Sequence, residues 1–364
     1  MNNFSFNNLR IDGLATAVPN DVEQIMDYAK YYPEGELEKF CASTGIYQRY
    51  VGHRKKIIAS DLCVAAANSL FEKFNLDKDN IDCLIYMSQS FDYESPATAN
   101  IIQMRLGLNN CGAVYDITYG CAAFPFALQI AGSFINGGCR SVLILIGDSV
   151  TSPDITDKDN FLFGDAGSAM IISKAENEES EINIRLETLG NKFKALMFPF
   201  GKNRHRFYDM VNEVGYENAN KLLRRFMSGA DVFTFSLIDA TKAAKKFYSD
   251  FKCSADDFDL LAIHQANKMI IDNVAKKIKF PKEKVNITLD RYANTSGVSI
   301  PLAICDYFEK NSCCGIKNIL TLGFGVGLSI GIASLKINSN KVLPIIKTDE
   351  SFDDGLYCSE YLNY

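Results

Sequence analysis

The sequence lacks a net positive charge, and it also lacks any long uninterrupted apolar run. Its formal net charge at pH 7 is −6, so there is no global positive field that would hold nucleic acid or an anionic membrane. Nowhere do eighteen apolar residues follow one another, which argues against a membrane-spanning helix. The first twenty residues show no basic segment followed by an apolar one, as a secretory signal would. These absences predict a cytoplasmic protein with neither nucleic acid nor membrane as partner.

The cysteines lack the spacing of a metal site or a disulfide framework. There are eleven of them, and no two are arranged as Cys-x-x-Cys. An odd number without paired spacing disfavours both zinc ligation and a set of structural disulfides. The sequence therefore predicts free thiols and a reducing compartment.

Apolar runs rich in β-branched residues alternate with segments of helical periodicity. The runs occupy 83–88, 113–118, 141–147, 260–265, 285–289 and 319–324. Aligning Cys83 with Leu260 gives an offset of 260 − 83 = 177, and aligning Leu145 with Leu322 gives 322 − 145 = 177. The repeated offset indicates an internal duplication. We expect an α/β protein with largely parallel sheets, divided into 1–175, 176–337 and a C-terminal extension, 338–364.

Cys121 precedes an apolar segment that contains Pro125. Proline is tolerated only in the first turn of a helix, so the helix that runs to Asn136 should begin at about Cys121 or Ala122. A thiol at a helix N-terminus meets the positive end of the helix dipole, which predicts a lowered pKa and a nucleophilic thiolate. The alternative is a packing role, since cysteine is often buried.

Two further polar residues are candidates for the same site, one from its place at a strand end and one from the duplication. Histidine is scarce, with only His53, His205 and His264, and only His264 ends a strand-like run. Adding 177 to 121 gives 298, within the segment 291–304, so Asn294 is expected to face Cys121. Its amide can cap the following helix or donate a hydrogen bond to an oxyanion.

Five motifs, in order along the chain, resemble those of the β-ketoacyl-ACP synthase III family of condensing enzymes. They are STGIYQR (43–49), FGDAGSAMI (163–171), HQAN (264–267), NTSGVSIP (294–301) and GFGVGLS (323–329). The resemblance runs from about residue 8 to 337. It implies a thiolase-like duplicated α/β fold, in which mixed, mostly parallel five-stranded sheets and helices form αβαβα layers.

The resemblance also assigns roles to residues. Cys121 would carry the acyl group as a thioester, while His264 and Asn294 would stabilise the enolate left by decarboxylation of the malonyl thioester. The backbone N–H groups of Cys121 and Val326 would form the oxyanion hole. Ser95, Phe163 and Gly325 would line the substrate pocket, with Ser95 contributed across a homodimer interface. The basic residues Lys268, Lys276 and Lys277 would dock an acyl carrier protein.

The implied reaction is a decarboxylative Claisen condensation of an acyl primer with malonyl-ACP, which gives β-ketoacyl-ACP and CO2 in fatty-acid initiation. The primer would arrive as acyl-CoA or acyl-ACP, and no resident cofactor or metal is implied. The tryptophan and arginine that sandwich the adenine of coenzyme A in well-studied members fall here on Lys39 and Ser43, and the arginine after HQAN falls on Met269.

Those departures favour a second possibility, a specialised acyltransferase or condensing enzyme of a polyketide, signal-molecule or surface-polysaccharide pathway. A hydroxymethylglutaryl-CoA synthase would need a glutamate acid beside the cysteine and is disfavoured. A non-catalytic subunit of the same fold would have lost its nucleophile, whereas Cys121, His264 and Asn294 are all present.

Overall fold

The computed structural model describes residues 2–175, 181–311 and 315–358. The strands are β1 (Asn3–Phe6), β2 (Leu9–Pro19), β3 (Val22–Gln24), β4 (Gln48–Tyr50), β5 (Ile81–Ser88), β6 (Ala113–Thr118), β7 (Ser141–Asp148), β8 (Ala166–Lys174), β9 (Ile182–Thr188), β10 (Leu196–Met197), β11 (Phe226–Met227), β12 (Leu260–Ile263), β13 (Ile316–Gly325), β14 (Ser329–Asn338) and β15 (Ile346–Thr348). The α-helices are α1 (Glu36–Thr44), α2 (Ala59–Phe74), α3 (Thr98–Leu106), α4 (Ala123–Asn136), α5 (Phe207–Val214), α6 (Tyr216–Leu222), α7 (Gly229–Phe235), α8 (Thr241–Asp250), α9 (Lys268–Lys277), α10 (Leu289–Tyr292) and α11 (Ser299–Asn311).

Two large sheets enclose a pair of buried helices. The strand orders are β15-β2-β8-β7-β5-β6 in one sheet and β1-β9-β14-β13-β12 in the other. Helix α4 contacts strands of both sheets, and so does α11. Helices α2 and α3 pack against the six-stranded sheet, and α8 and α9 pack in the apolar cluster of the five-stranded sheet. The predicted αβαβα layering and duplicated α/β fold are confirmed.

The prediction of mostly parallel five-stranded sheets is wrong in two details. One sheet has six strands, and in the five-stranded sheet only the pair β12–β13 is parallel. In the six-stranded sheet β2–β8 and β7–β8 are antiparallel, and the other three pairs are parallel. The turn from β13 to β14 is too short for a helical crossover, so it can join only antiparallel neighbours.

The register of the strand pairs confirms the duplication. Cys83 lies opposite Val142 in the parallel pair β5–β7, and Leu260 lies opposite Ile319 in the parallel pair β12–β13. Adding 177 to both members of the first pair gives the second pair, since 83 + 177 = 260 and 142 + 177 = 319. The two halves therefore share one β-strand framework in the same register.

The offset changes after β7. Ala169 lies opposite Leu145 in the first half and Ile332 lies opposite Leu322 in the second, so the offset falls to 332 − 169 = 163. The connection after β7, residues 149–165, is therefore longer than its counterpart by 177 − 163 = 14 residues. This long connection reaches the other half of the protein and takes part in the site described below.

The expected division of the chain needs correction at both ends. Strand β1 pairs with β9 of the second half, and β15, from the expected extension, pairs with β2 of the first half. The predicted strand at 285–289 is reduced to a single bridge between Val285 and Leu261. Short edge strands satisfy the open hydrogen bonds of a sheet edge, and a local sequence pattern does not reveal which edge they cover. Residues 176–180, at the expected boundary, and 359–364 of the extension lie outside the described residues.

No helix in the described residues has the length and apolar character needed to cross a membrane.

Candidate active site

Cys121 lies in the turn between β6 and α4. The N–H of Ala123 donates to the carbonyl of Gly120 at 2.8 Å, which closes the turn around the cysteine. Helix α4 begins at Ala123, slightly later than predicted, and Pro125 lies in its first turn. Cys121 is partly exposed. The structure therefore presents the thiol just before the N-terminus of the buried helix.

His264 directly follows β12 and is 2% exposed. Its backbone N–H donates to the carbonyl of Leu322 at 2.9 Å. Its Nδ1 lies 2.8 Å from Oγ of Ser299, and that hydroxyl lies 2.8 Å from the carbonyl oxygen of Ser296. Burial lowers the pKa of His264 to about 3, so the imidazole is neutral at physiological pH.

Asn294 is held by the long connection after β7. Its backbone N–H donates to the carbonyl of Leu162 at 3.0 Å, and its carbonyl accepts from Gly164 N–H at 3.2 Å, around a β-bridge to Phe163. Its side-chain Oδ1 accepts from the N–H of Ser296 at 2.9 Å. The side-chain oxygen thus supports the following turn, while the amide Nδ2 donates to no protein group in the described part of the chain. The capping and oxyanion roles foreseen for this asparagine are compatible, because they use different atoms.

Ser296 connects the three side chains, and sequence reasoning missed it. It has a left-handed backbone, with φ of 51°. Its hydroxyl lies near both the Cys121 thiol and the Asp148 carboxylate and acts to lower the pKa of each, and its carbonyl accepts from the serine that contacts His264. The sequence feature that could have identified Ser296 is its place within the NTSGVSIP motif.

Asp148, at the end of β7, places a fully buried carboxylate behind the cysteine. It accepts from the N–H of Gln89 at 2.7 Å and from the Ser88 hydroxyl at 3.3 Å. Burial raises its pKa to about 6, so the group is mostly ionised at neutral pH. Its place at the carboxyl end of a strand, where ligands gather in α/β sheets, was the sequence signal.

The expectation of a lowered pKa for Cys121 is wrong. Burial and, second, the negative charge of Asp148 raise the pKa of the thiol from 9.0 to about 11. The hydrogen bond from Ser296 and the positive charge of Arg225 act in the opposite direction but are smaller. Proximity to a helix N-terminus is therefore outweighed by desolvation, which disfavours the charged form of any thiol.

This raised pKa predicts the pH dependence of thiol reactivity. Alkylation of Cys121 by iodoacetamide should accelerate about tenfold per pH unit from about pH 7 to about pH 10 without a plateau, because the thiolate fraction is still rising there. Peptide mass spectrometry of pH-quenched samples measures the rate. Asp148→Asn should move the increase in alkylation rate to lower pH, since it removes a charge that opposes thiolate formation. Cys121→Ala, which lacks the thiol, gives the background signal. A plateau below about pH 9 contradicts the raised pKa.

Glycines allow the second half to approach the cysteine closely. A Cβ at Gly325 would lie 2.6 Å from Cβ and 3.0 Å from Sγ of Cys121, and a Cβ at Gly323 would lie 2.9 Å from Cα of Ala122. The distances of 2.6 Å and 2.9 Å are shorter than real Cβ contacts. The glycine-rich segment at the end of β13 is therefore explained by close packing against the nucleophile.

Gly325→Ala should impair acylation more than stability. The added methyl must displace β13 or Cys121, and a displacement of the order of 1 Å at a reacting group costs about 10²-fold in rate. Intact-mass spectrometry of the acyl adduct measures acylation, and circular dichroism reports folding. Gly112→Ala is the matched control, because a Cβ there meets nothing within 4 Å. Equal acylation rates in the two variants would contradict the close approach.

The remaining predicted site residues lie in different surroundings. Val326 follows Gly325 in the turn to β14, and the Phe163 side chain lies beneath the guanidinium of Arg225, whose Cζ is 3.8 Å from the ring centre. Ser95 is exposed on the single chain, so a pocket role requires a second copy. Arg225 had no sequence signal beyond a pair of adjacent arginines.

The three predicted docking lysines are exposed on α9, the helix that follows the histidine motif. Lys268 forms an ion pair with Asp272 at 2.5 Å, and Lys277 donates to the carbonyl of Leu237 at 3.0 Å. Lys276 makes no ion pair in the part of the chain that the structure describes. Within those residues, no three His, Cys, Asp or Glu side chains gather in a way that could hold a metal ion.

Comparison with known proteins finds matches along most of the chain. A family model described as 3-oxoacyl-(acyl-carrier-protein) synthase III matches residues 115–190, and the model of the C-terminal part of that family matches residues 249–337. β-Ketoacyl-(acyl-carrier-protein) synthase III of Xanthomonas oryzae pv. oryzae is 32% identical over 337 residues, covering 90% of this chain and 98% of that protein. The enzyme of the same name from Caldanaerobacter subterraneus subsp. tengcongensis is 30% identical over 328 residues, covering 89% of this chain and 96% of that protein.

A solved structure agrees with these sequence matches. The crystal structure of 3-oxoacyl-(acyl-carrier protein) synthase from Burkholderia xenovorans LB400 superposes with a TM-score of 0.86 at 27% sequence identity, covering 95% of this chain and 99% of that one.

Proposed function

The chain belongs to the β-ketoacyl-ACP synthase III family, and from that premise we propose how Cys121, His264 and Asn294 divide its reaction. It is an acyltransferase that joins an acyl primer to a malonyl unit with loss of CO2, and its family uses substrates bound to acyl carrier protein. The observation that carries the proposed roles is the linkage of all three side chains through the turn at Ser296.

Acylation forms the first covalent bond. The thiolate of Cys121 attacks the carbonyl carbon of the primer thioester, the C–S bond to the carrier breaks, and the carrier thiol leaves with the proton that Cys121 gave up. The negative charge on the carbonyl oxygen in between would be held by the backbone N–H groups of Cys121 and Val326. The high pKa of Cys121 makes the thiolate scarce but strongly nucleophilic once formed.

Condensation uses the other two side chains. As the malonyl C–C bond to the carboxylate breaks, CO2 leaves and its bonding electrons form an enolate. Nδ2 of Asn294 and Nε2–H of His264 would donate to that enolate oxygen. For His264 this requires the Ser299 hydroxyl to turn from the Ser296 carbonyl, its acceptor in the structure, toward Nδ1, so that the imidazole proton sits on Nε2. The enolate carbon then attacks the acyl-cysteine, and the Cys121 thiolate leaves.

The experiment that tests these roles follows acylation and decarboxylation separately. Purified protein is incubated first with a primer thioester and then with malonyl-ACP labelled in its free carboxylate. We expect one acyl adduct on Cys121, then release of labelled CO2 and formation of β-ketoacyl-ACP. An adduct on another residue, or condensation without any adduct, would overturn the assignment.

Partners and cofactors follow from the same proposal. The protein would act in the cytoplasm as a homodimer without a resident cofactor, since the covalent intermediate forms on Cys121 and the substrates carry their own phosphopantetheine. The exposure of Ser95 supports a second copy at that surface. Lys39 and Met269, at two of the family's coenzyme A positions, are exposed, and they supply neither an aromatic ring nor a guanidinium to hold adenine. This supports a primer delivered by a carrier protein and the specialised pathway foreseen above.

Docking of acyl carrier protein on α9 predicts a selective effect of Lys276→Glu. The variant should raise KM for malonyl-ACP by about 3- to 10-fold while leaving kcat with malonyl-pantetheine unchanged, because rim charges act mainly on encounter. Steady-state kinetics with both donors measures it. Lys336→Glu, the same charge reversal at an exposed site on β14, is the control. An equal rise in KM for both donors would contradict docking at α9.

A further inference from the structure

Arg225 stacks a guanidinium group on Phe163, next to the bridge that holds Asn294. It lies in the segment between α6 and β11, and its Cζ is 3.8 Å from the centre of the Phe163 ring. Phe163 in turn forms the β-bridge to Asn294. The positive charge of Arg225 is one of the influences that lower the pKa of the Cys121 thiol, so the cation lies within electrostatic range of the nucleophile.

This cation has no acidic partner in residues 2–175, 181–311 and 315–358. Asp157 and Asp159 favour its charged form but make no ion pair with it, and its guanidinium makes no hydrogen bond within that part of the protein. Arg225 is half-buried, and burial lowers its pKa, although a guanidinium stays charged at neutral pH. The Phe163 ring covers one face of the group, and the in-plane N–H donors bond to no protein acceptor in the described residues, so they are free to bind a ligand.

We propose that Arg225 selects acyl primers whose chain ends in a carboxylate, that is, thioesters of short dicarboxylic acids. The inference rests on the proposed function of Cys121 as the acyl carrier. A carboxylate at the far end of the acyl group would accept two parallel N–H···O bonds from the guanidinium, while the thioester end reaches Cys121. The condensation product would then be a β-ketoacyl chain with a terminal carboxylate, and a reaction that activates a dicarboxylic acid as its half-thioester must supply the primer.

The carboxylate of the malonyl donor is a poorer partner for Arg225. That carboxylate must lose its charge as CO2 departs, and an ion pair with it would stabilise the ground state rather than the transition state. A primer carboxylate keeps its charge throughout both chemical steps, so the ion pair persists without raising either barrier. The same cation, stacked on the Phe163 ring, would disfavour a plain alkyl chain, because that chain would cover the guanidinium without offering an acceptor.

The test compares primers of equal length that differ only in terminal charge. Pantetheine thioesters of succinate and butyrate, and of glutarate and valerate, remove any dependence on the carrier. Acylation of Cys121 is timed by intact-mass spectrometry. We expect the wild-type protein to react with the dicarboxylic member of a pair about 10- to 100-fold faster, as for a charge-assisted hydrogen-bonded pair. Arg225→Leu should abolish or invert the preference, and Arg225→Lys should retain part of it.

Arg224→Leu, which removes the exposed neighbouring arginine, is the matched control and should leave the preference unchanged. The inference is overturned if the wild-type protein shows no preference between the members of a pair. It is also overturned if Arg225→Leu slows acylation by both members by the same factor, since Arg225 would then act on the Cys121 thiolate alone. If the leucine variant does not fold, the wild-type preference and the lysine variant decide. Uncharged primers that acylate Cys121 and condense normally would leave the proposed function intact, whereas failure of every primer to acylate Cys121 would remove the function itself.

Discussion

Cys121→Ala is expected to lower the rate of β-ketoacyl-ACP formation by about 10³-fold or more, because it removes the thiol proposed to carry the acyl group. The alanine should also eliminate the acyl adduct in intact-mass spectra. The methyl group fills the turn before α4 without adding atoms near Gly325, so the fold should be unaffected. A coupled assay with malonyl-ACP and a mass measurement on the same preparation report both effects.

The control for this variant is Cys139→Ala, which removes another partly exposed free thiol that the site does not use. It should leave both the rate and the adduct unchanged. Condensation by the Cys121→Ala protein at a rate near that of the wild type would refute a covalent mechanism.

Asn294→Asp is expected to separate the two chemical steps. The new carboxylate can still accept from the N–H of Ser296, as Oδ1 does now at 2.9 Å, but it has no N–H to donate and adds negative charge where the enolate develops. Loss of one such donor costs about 10²- to 10³-fold in rate. We therefore expect release of CO2 from malonyl-ACP to fall by at least that factor, while acylation of Cys121 continues.

His264→Ala should show the same separation, since the neutral imidazole is proposed to supply the other donor. Labelled CO2 and the acyl adduct are measured on the same samples, and thermal unfolding verifies that the buried site has not collapsed. His205→Ala, at a histidine outside the site, is the control. If acylation falls in parallel with decarboxylation in both variants, these residues serve the first step and the proposed division is wrong.

Local chemistry explains why much of this protein could be anticipated. The offset of 177 residues was readable because apolar spacing within strands repeats wherever a fold is duplicated, and the strand register bears it out at Cys83 and Leu260. Pro125 limited the start of α4 to within a few residues because proline has no N–H to donate. The roles of Cys121, His264 and Asn294 stay predictions, although the structure brings these three side chains around one turn.

Other features depend on parts of the chain that are far apart. Strand β1 enters the sheet of the second half and β15 enters that of the first, because an open sheet edge can be covered by any nearby segment. The predicted strand at 285–289 is rich in β-branched residues, but only one bridge forms there, between Val285 and Leu261. Whether a short segment at a sheet edge forms a strand depends on its packing against neighbours, and the local sequence pattern does not record that packing.

The sequence by itself determined the fold class, the duplication and the identity of the reactive residue types, since each depends on periodicity or on chemistry carried within a short motif. Only the tertiary structure decided the electrostatics around Cys121. It desolvates the thiol and places the charge of Asp148 near it, which together raise the pKa of Cys121 to about 11, where the helix N-terminus alone suggested the opposite. It also placed the guanidinium of Arg225 over Phe163. Desolvation and charge depend on what surrounds a group in space, and those neighbours come from every part of the chain.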